Sequence, residues 1–247
     1  MTTTISASAY LNAVTAAIGR VTETQHDAVH AAADLIATAL GQGGVVQAFG
    51  CGHSEALSME IAGRAGGLVP TNRIALRDLV LYGGADREVL EIKQRDQAAH
   101  WPATAHGPDD VFVLTSNSGV NGVIVEFALL LRDRGHRLIG ITSLDHTARV
   151  ESRHPSGRRL ADIADVVLDN GAPYGDAALP LPGGGAVGAI SSITGALLAQ
   201  QIVTEVVARL LAAGQAPPVY LSANVPGGDT HNNELEARYA GRIRRTA

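Results

Sequence analysis

Val111-Phe112-Val113-Leu114-Thr115-Ser116-Asn117-Ser118-Gly119 is the stretch that decides the fold. Five residues, mostly β-branched or aromatic, follow Pro108-Asp109-Asp110 and break into a short polar loop. A continuous apolar run of this length, opened by turn formers, is the pattern of a strand covered on both faces. Beyond the loop, Val123, Phe127, Leu130 and Leu131 fall on one helical face, and Gly135 closes the segment.

The same unit stands earlier in the chain. Val45 to Phe49 is a second apolar run, Gly50-Cys51-Gly52-His53-Ser54 a second polar loop, and residues 55–65 read as the helix behind it. Arg73 to Leu76, Arg137 to Thr142 and Ala164 to Leu168 read as further strands. Repeated strand–loop–helix units with β-branched strands predict an α/β fold with a parallel, doubly wound sheet. A long apolar helix is expected from about 186 to 211. The first forty residues also read as helix. Thr22 and Gln25 have capping-box spacing, Val29, Ala33, Ile36 and Leu40 form a stripe, and Gly41 ends the run. With no internal repeat or linker, residues 1–247 read as a single domain: a helical arm (1–42), an α/β core (43–215) and a polar C-terminal tail (216–247).

Composition agrees. The chain has 247 residues, 46% hydrophobic and 17% charged, so it can bury a sizeable core. Only 4% are aromatic, which leaves that core to Val, Ile, Leu and Ala. A net charge of −5 gives no electrostatic footprint for nucleic acid. One cysteine, Cys51, excludes an internal disulfide framework and a thiolate zinc cluster, and fits a reducing compartment. The first twenty residues lack the basic region of a signal peptide. No run of about 18 apolar residues predicts a membrane span. The expectation is a cytoplasmic protein.

In an open parallel sheet, ligands bind beyond the carboxyl ends of the strands. Both polar loops leave strands there, offering backbone N–H groups and the hydroxyls of Ser54, Ser116 and Ser118. Uncharged donors at a helix start suit a phosphate monoester that is held and released. Serine is also an ordinary N-cap, so either loop alone has a purely structural reading. Two such loops on successive units favour the ligand. Gly183, Gly185 and Gly188 match a dinucleotide fingerprint, but Pro180 and Pro182 stand where its strand belongs, so this reads as a loop. His26, His30 and Asp34 recur every fourth residue, a spacing able to hold a metal; with no further ligand nearby, a polar edge or subunit contact is the simpler reading. Cys51 beside a helix start would have a lowered pKa, although a lone Cys between glycines is more commonly a small packing residue. Glu60, set among Met59, Ile61 and Ala62, fits the base that carries a proton between neighbouring carbons. It equally fits an ion pair with Arg64.

Gly-Cys-Gly-His-Ser at 50–54 and Thr-Ser-Asn-Ser-Gly at 115–119, each behind an apolar strand, resemble the sugar isomerase (SIS) domain family of phosphosugar-binding proteins. Residues 50–70, 152–177 and 222–232 resemble a branch of it near the phosphoheptose isomerases. The resemblance implies a three-layer α/β/α sandwich with a five-stranded parallel sheet, assembled as homodimers or homotetramers with shared sites. It implies that Ser54, Ser116 and Ser118 bind phosphate, with Gly52, Asn117 and Gly119 shaping the loops and His53 a further substrate-binding candidate. Phosphoheptose isomerases pair a Glu with a late-helix His, often with zinc. Glu60 matches the former, since Glu60-Ile61-Ala62-Gly63-Arg64 resembles the family's Glu-Leu-Thr-Gly-Arg. The late helix here holds Gln200, Gln201 and Glu205 but no His, so no metal or other cofactor is expected, and His231 or His53 is the substitute, with His231 favoured. The implied function is aldose–ketose isomerisation of a sugar phosphate. Alternatives are a non-catalytic sensing module, or a lyase or deaminase acting on an amino-sugar phosphate.

Overall fold

The computed structural model describes residues 5–75 and 87–244. Its centre is a parallel sheet built from the apolar runs of the sequence: β1 (Val46–Gly50), β2 (Thr71–Ile74), β3 (Val111–Thr115), β4 (Arg137–Thr142) and β5 (Val166–Asp169). Their order is β2-β1-β3-β4-β5, so the chain reverses direction across the sheet between β1 and β3. Of the expected second strand, Leu76 lies outside the described residues; Arg73 and Ile74 are in β2.

Alternation along these strands feeds two cores. Val46, Ala48, Val111, Val113, Ile139, Ile141 and Leu168 face α1 (Ala7–Thr24), α2 (His26–Gly41) and α8 (Ser191–Ala212). Phe49, Phe112, Leu114 and Leu138 face α4 (Arg87–Ala99), α5 (Gly122–Asp133) and α7 (Leu160–Ile163). The result is a three-layer α/β/α sandwich with a five-stranded parallel sheet. All three phenylalanines lie in the second core, where Phe49 and Phe127 meet edge to face at 5.0 Å. Burying each such ring stabilises by about 1.5–3 kcal/mol. α8 is long and apolar enough by length and composition to cross a membrane. Here Leu198, Ala199, Ile202 and Val206 are buried in the first core.

Several local expectations are corrected. The N-terminal segment is two helices that meet at Gln25, and Thr22 lies inside the first, so no capping box forms there. The cap is Ser6, whose hydroxyl accepts the Ala9 N–H. The helix after the first loop, α3, spans only Glu55–Ile61, because Ala62 turns extended and Gly63 takes a φ of 83°. Residues 186–189 are not helical: β6 (Ala177–Pro180) and β7 (Ala186–Ala189) form an antiparallel hairpin whose turn holds Gly183 to Gly185. Pro180 is tolerated at the end of such a short edge strand. α6 (Leu144–Ala148) follows β4. The polar C-terminal stretch contains α9 (Gly228–Arg238), docked through Leu235 on Val69 and Tyr220.

Candidate functional site

β1 and β3 pair with Gly50 opposite Thr115, so the two polar loops leave the sheet side by side at its carboxyl edge. The Thr115 hydroxyl ties them together, lying 3.2 Å from the Phe49 carbonyl and 3.0 Å from that of Ser54. A Cβ at position 50 would come within 2.3 Å of the Ser54 carbonyl oxygen, which only glycine avoids. In the second loop the Ser116 hydroxyl accepts the Gly119 N–H at 3.1 Å. Gly119 has a φ of 64°, and a Cβ there would lie 2.8 Å from Thr142 Oγ1. Asn117 is clamped from both ends: its carbonyl accepts the Ser143 N–H, and its Oδ1 accepts from Asn170 Nδ2 at 3.0 Å.

Between the loops lies a cleft of about 350 Å³. His53, Ser54, Ser116 and Asn117 line it from the two loops, and Asn170, Asp176, Ser191 and Ser192 from the segment after β5 and the start of α8. For an open sheet of this strand order, the crevice between β1 and β3 is where ligands sit. The Ser54 hydroxyl makes no capping bond to α3, so simple N-capping does not explain it. α3 is only seven residues long, and α5 starts three residues beyond Gly119. Donor groups rather than helix dipoles therefore dominate this wall.

The other expected residues are placed differently. Gly52, with φ 61°, turns the first loop into a short 3₁₀ segment. The Ser118 carbonyl accepts from the Thr147 hydroxyl, and Ser118 does not line the cleft. Glu60 lies in the last turn of α3, pairs with Arg64 and accepts from Gln200 Nε2 at 2.8 Å; it does not line the cleft either. His231 is on α9, its Nε2 3.1 Å from the Val219 carbonyl, and is not brought to the cleft within one chain. Burial pushes the Cys51 thiol up to about 11, against a hydrogen bond from Asn121, so it is a packing thiol and not an activated one. Of the His26–His30–Asp34 row, His30 and Asp34 are organised, with Glu205, around the Arg209 guanidinium. Among the described residues no cluster of three His, Cys, Asp or Glu is arranged to hold a metal ion.

Asn170, Asp176 and Ser191 were missed by the sequence reading. Asn170 follows β5 as the serine loops follow β1 and β3, so the same carboxyl-edge rule would have found it. Asp176 carries no periodic signal. It is the one non-glycine residue with positive φ among the described residues, at 69°, and its carboxylate crosses to the start of α8.

Comparison with known proteins gives the chain its family. The family model described as SIS domain matches residues 9–143. The chain is thus an SIS-domain protein. The phosphoheptose isomerase of Neisseria gonorrhoeae superposes with a TM-score of 0.54 at 18% identity, covering 81% of this chain and 96% of that one. The Vibrio vulnificus NanR protein complexed with ManNAc-6P gives a TM-score of 0.51 at 12% identity, covering 94% of this chain and 67% of that one. Both likenesses are of fold. A UPF0309 protein of Listeria monocytogenes is 41% identical over 222 residues, 90% of this chain and 92% of the relative. The chain belongs to the UPF0309 family.

Proposed function

We propose that this chain binds a phosphorylated sugar in the cleft between the Gly50–Ser54 and Ser116–Gly119 loops and interconverts its aldose and ketose forms. The observation that carries the reading is the in-register pairing of β1 and β3, which brings two hydroxyl-bearing loops over one cavity at the switch point of the sheet. The phosphate docks on the Ser54 and Ser116 hydroxyls and neighbouring N–H groups, while Gly52, Asn117, Ser118 and Gly119 hold the loops in shape. Isomerisation takes a proton from the hydroxyl-bearing carbon, forms an enediol and returns the proton to the former carbonyl carbon. His53, whose imidazole lines the cleft, is the candidate for moving a proton between the two oxygens. Glu60 is the candidate carbon base; because it does not line the cleft within one chain, it would act only where a shared site or a movement of α3 brings its carboxylate, freed from Arg64 or Gln200, to the ligand. His231 would serve only a site shared with a second copy, in keeping with a homodimer or homotetramer. No metal or other cofactor enters this scheme.

A second reading, binding without turnover, is favoured by the engagement of Glu60 with Arg64 and Gln200. The NanR protein, seen with a sugar phosphate, shares the fold. A panel of hexose, heptose and amino-sugar phosphates, followed by thermal shift and by exchange of substrate carbon hydrogens with solvent, separates the two. Stabilisation with exchange supports isomerisation, and stabilisation without exchange by any ligand supports the sensor. No stabilisation at all refutes the phosphosugar site.

A further inference from the structure

The two walls of the cleft differ in charge. The loop wall offers the neutral hydroxyls of Ser54 and Ser116, the Asn117 amide and the His53 ring. The lining from the segment after β5 and the start of α8 carries one carboxylate, Asp176. Its Oδ1 accepts the N–H groups of Ile190 and Ser191 at 3.1 and 2.8 Å, and its Oδ2 accepts the Ser191 hydroxyl at 2.7 Å. These three donors are neutral, and among the described residues no cation pairs with Asp176. A carboxylate has about four lone-pair sites, so capacity remains for a donor within the cavity. The hydrogen bonds fix where both oxygens stand. The volume of about 350 Å³ lies within the range of small-molecule sites.

A pocket lined by anion-binding donors and by a carboxylate that caps the start of α8 with no cation paired to it among the described residues is complementary to a ligand that is anionic at one end and cationic at the other. Resting on the phosphosugar reading above, we propose that Asp176 selects sugar phosphates bearing a free amino group: the phosphate sits on the serine loops and the ammonium on Asp176. A neutral hydroxyl at the same carbon would donate one ordinary hydrogen bond, and an N-acetyl group would remove the charge and add bulk.

The test is titration calorimetry with glucosamine, mannosamine and galactosamine 6-phosphates against the matching hexose 6-phosphates and N-acetylated forms. In at least one series the amine is expected to bind about tenfold or more tightly than the hydroxyl, the ratio for one charge-assisted hydrogen bond. Asp176→Asn, which keeps Oδ1 as an acceptor for the α8 N–H groups, should bring that ratio close to one while hexose 6-phosphate still binds. Ser116→Ala should weaken all ligands by a common factor and leave the ratio unchanged. In the unaltered protein the ratio should also shrink above about pH 8, where an amine of this type loses its proton; that readout does not depend on how a variant folds. Equal affinity of amine and hydroxyl forms in every series, or a ratio that persists in Asp176→Asn, overturns this proposal and leaves the phosphosugar reading standing. Failure of every sugar phosphate to bind overturns both.

Discussion

Two carboxylates mark opposite ends of the sheet, and their surroundings are unalike. Asp110, just before β3, has a fully buried side chain. It accepts from the Val45 N–H, the Gln47 amide, the Gly107 N–H and Arg242 Nη2, the last at 2.6 Å. Asp176 has neutral donors only and opens on a cavity. Where a carboxylate is enclosed by donors and a cation, its chemistry is spent on the fold. Where it is held by neutral donors and left facing space, it is available to a ligand. The same contrast extends to the chain around each: loops at the amino edge are knitted to one another, whereas those at the carboxyl edge present hydroxyls to a cleft.

Substitutions at the two ends should therefore separate stability from binding. The largest effect is expected from Asp110→Ala, which strands Arg242 and leaves the Val45 and Gly107 N–H groups unpaired. A loss of about 3–5 kcal/mol by urea denaturation is expected, with sugar-phosphate affinity preserved in whatever remains folded. A loss below about 1 kcal/mol would erase the contrast. Ser116→Ala should act the other way, weakening sugar-phosphate binding by about tenfold or more, or 1.5–3 kcal/mol by calorimetry. Its stability cost is restricted to the single bond from the Gly119 N–H, and unchanged affinity would remove the phosphate from this loop. Gly119→Ala touches both properties. Its positive φ and the approach of Thr142 predict a destabilisation of about 1–3 kcal/mol by thermal melting, with binding weakened in parallel. The smallest effect belongs to the amino edge. Burial lowers the pKa of His106, helped by His136 and Arg134, and burial likewise lowers that of His136. A depressed imidazole pKa means that the unfolded chain binds more protons. Stability from this source is thus complete above about pH 6.5 and declines as pH falls below that value towards the folded-state pKa. Melting from pH 8 to pH 5 should show the decline, and His136→Gln should flatten it.

The strands were legible because strands buried on both faces read as unbroken apolar runs, and β1, β3 and β4 are of this kind; β5, a half-buried edge strand, was legible from its Val166-Val167-Leu168 run alone. β6 and β7 were not, since a hairpin of two four-residue strands rich in Gly and Pro has neither run nor period. The docking of α9 was hidden for a related reason: Gly228 to Arg238 is polar nearly throughout, and Leu235 alone supplies its buried apolar contact. At the site, His53, Ser54, Ser116 and Asn117 could be read from loop position. Asp176 could not, because its place depends on a turn with left-handed backbone that folds a carboxylate onto a helix start 15 residues later. Glu60 shows the converse. The sequence offers both a base and a partner for Arg64, and the described chain displays the partner.

Arg242 also joins segments far apart in the chain. Its guanidinium reaches Asp110, 132 residues earlier, and the Gly43 carbonyl, 199 earlier. The Asn72 side chain meanwhile bonds the backbone of Arg242 and Arg244. A segment that follows α9 is thus clasped to the loops before β1 and β3 and to β2, at the edge of the sheet opposite the cleft. A chain cut short of residue 242 would keep all five strands and leave Asp110 without its cation.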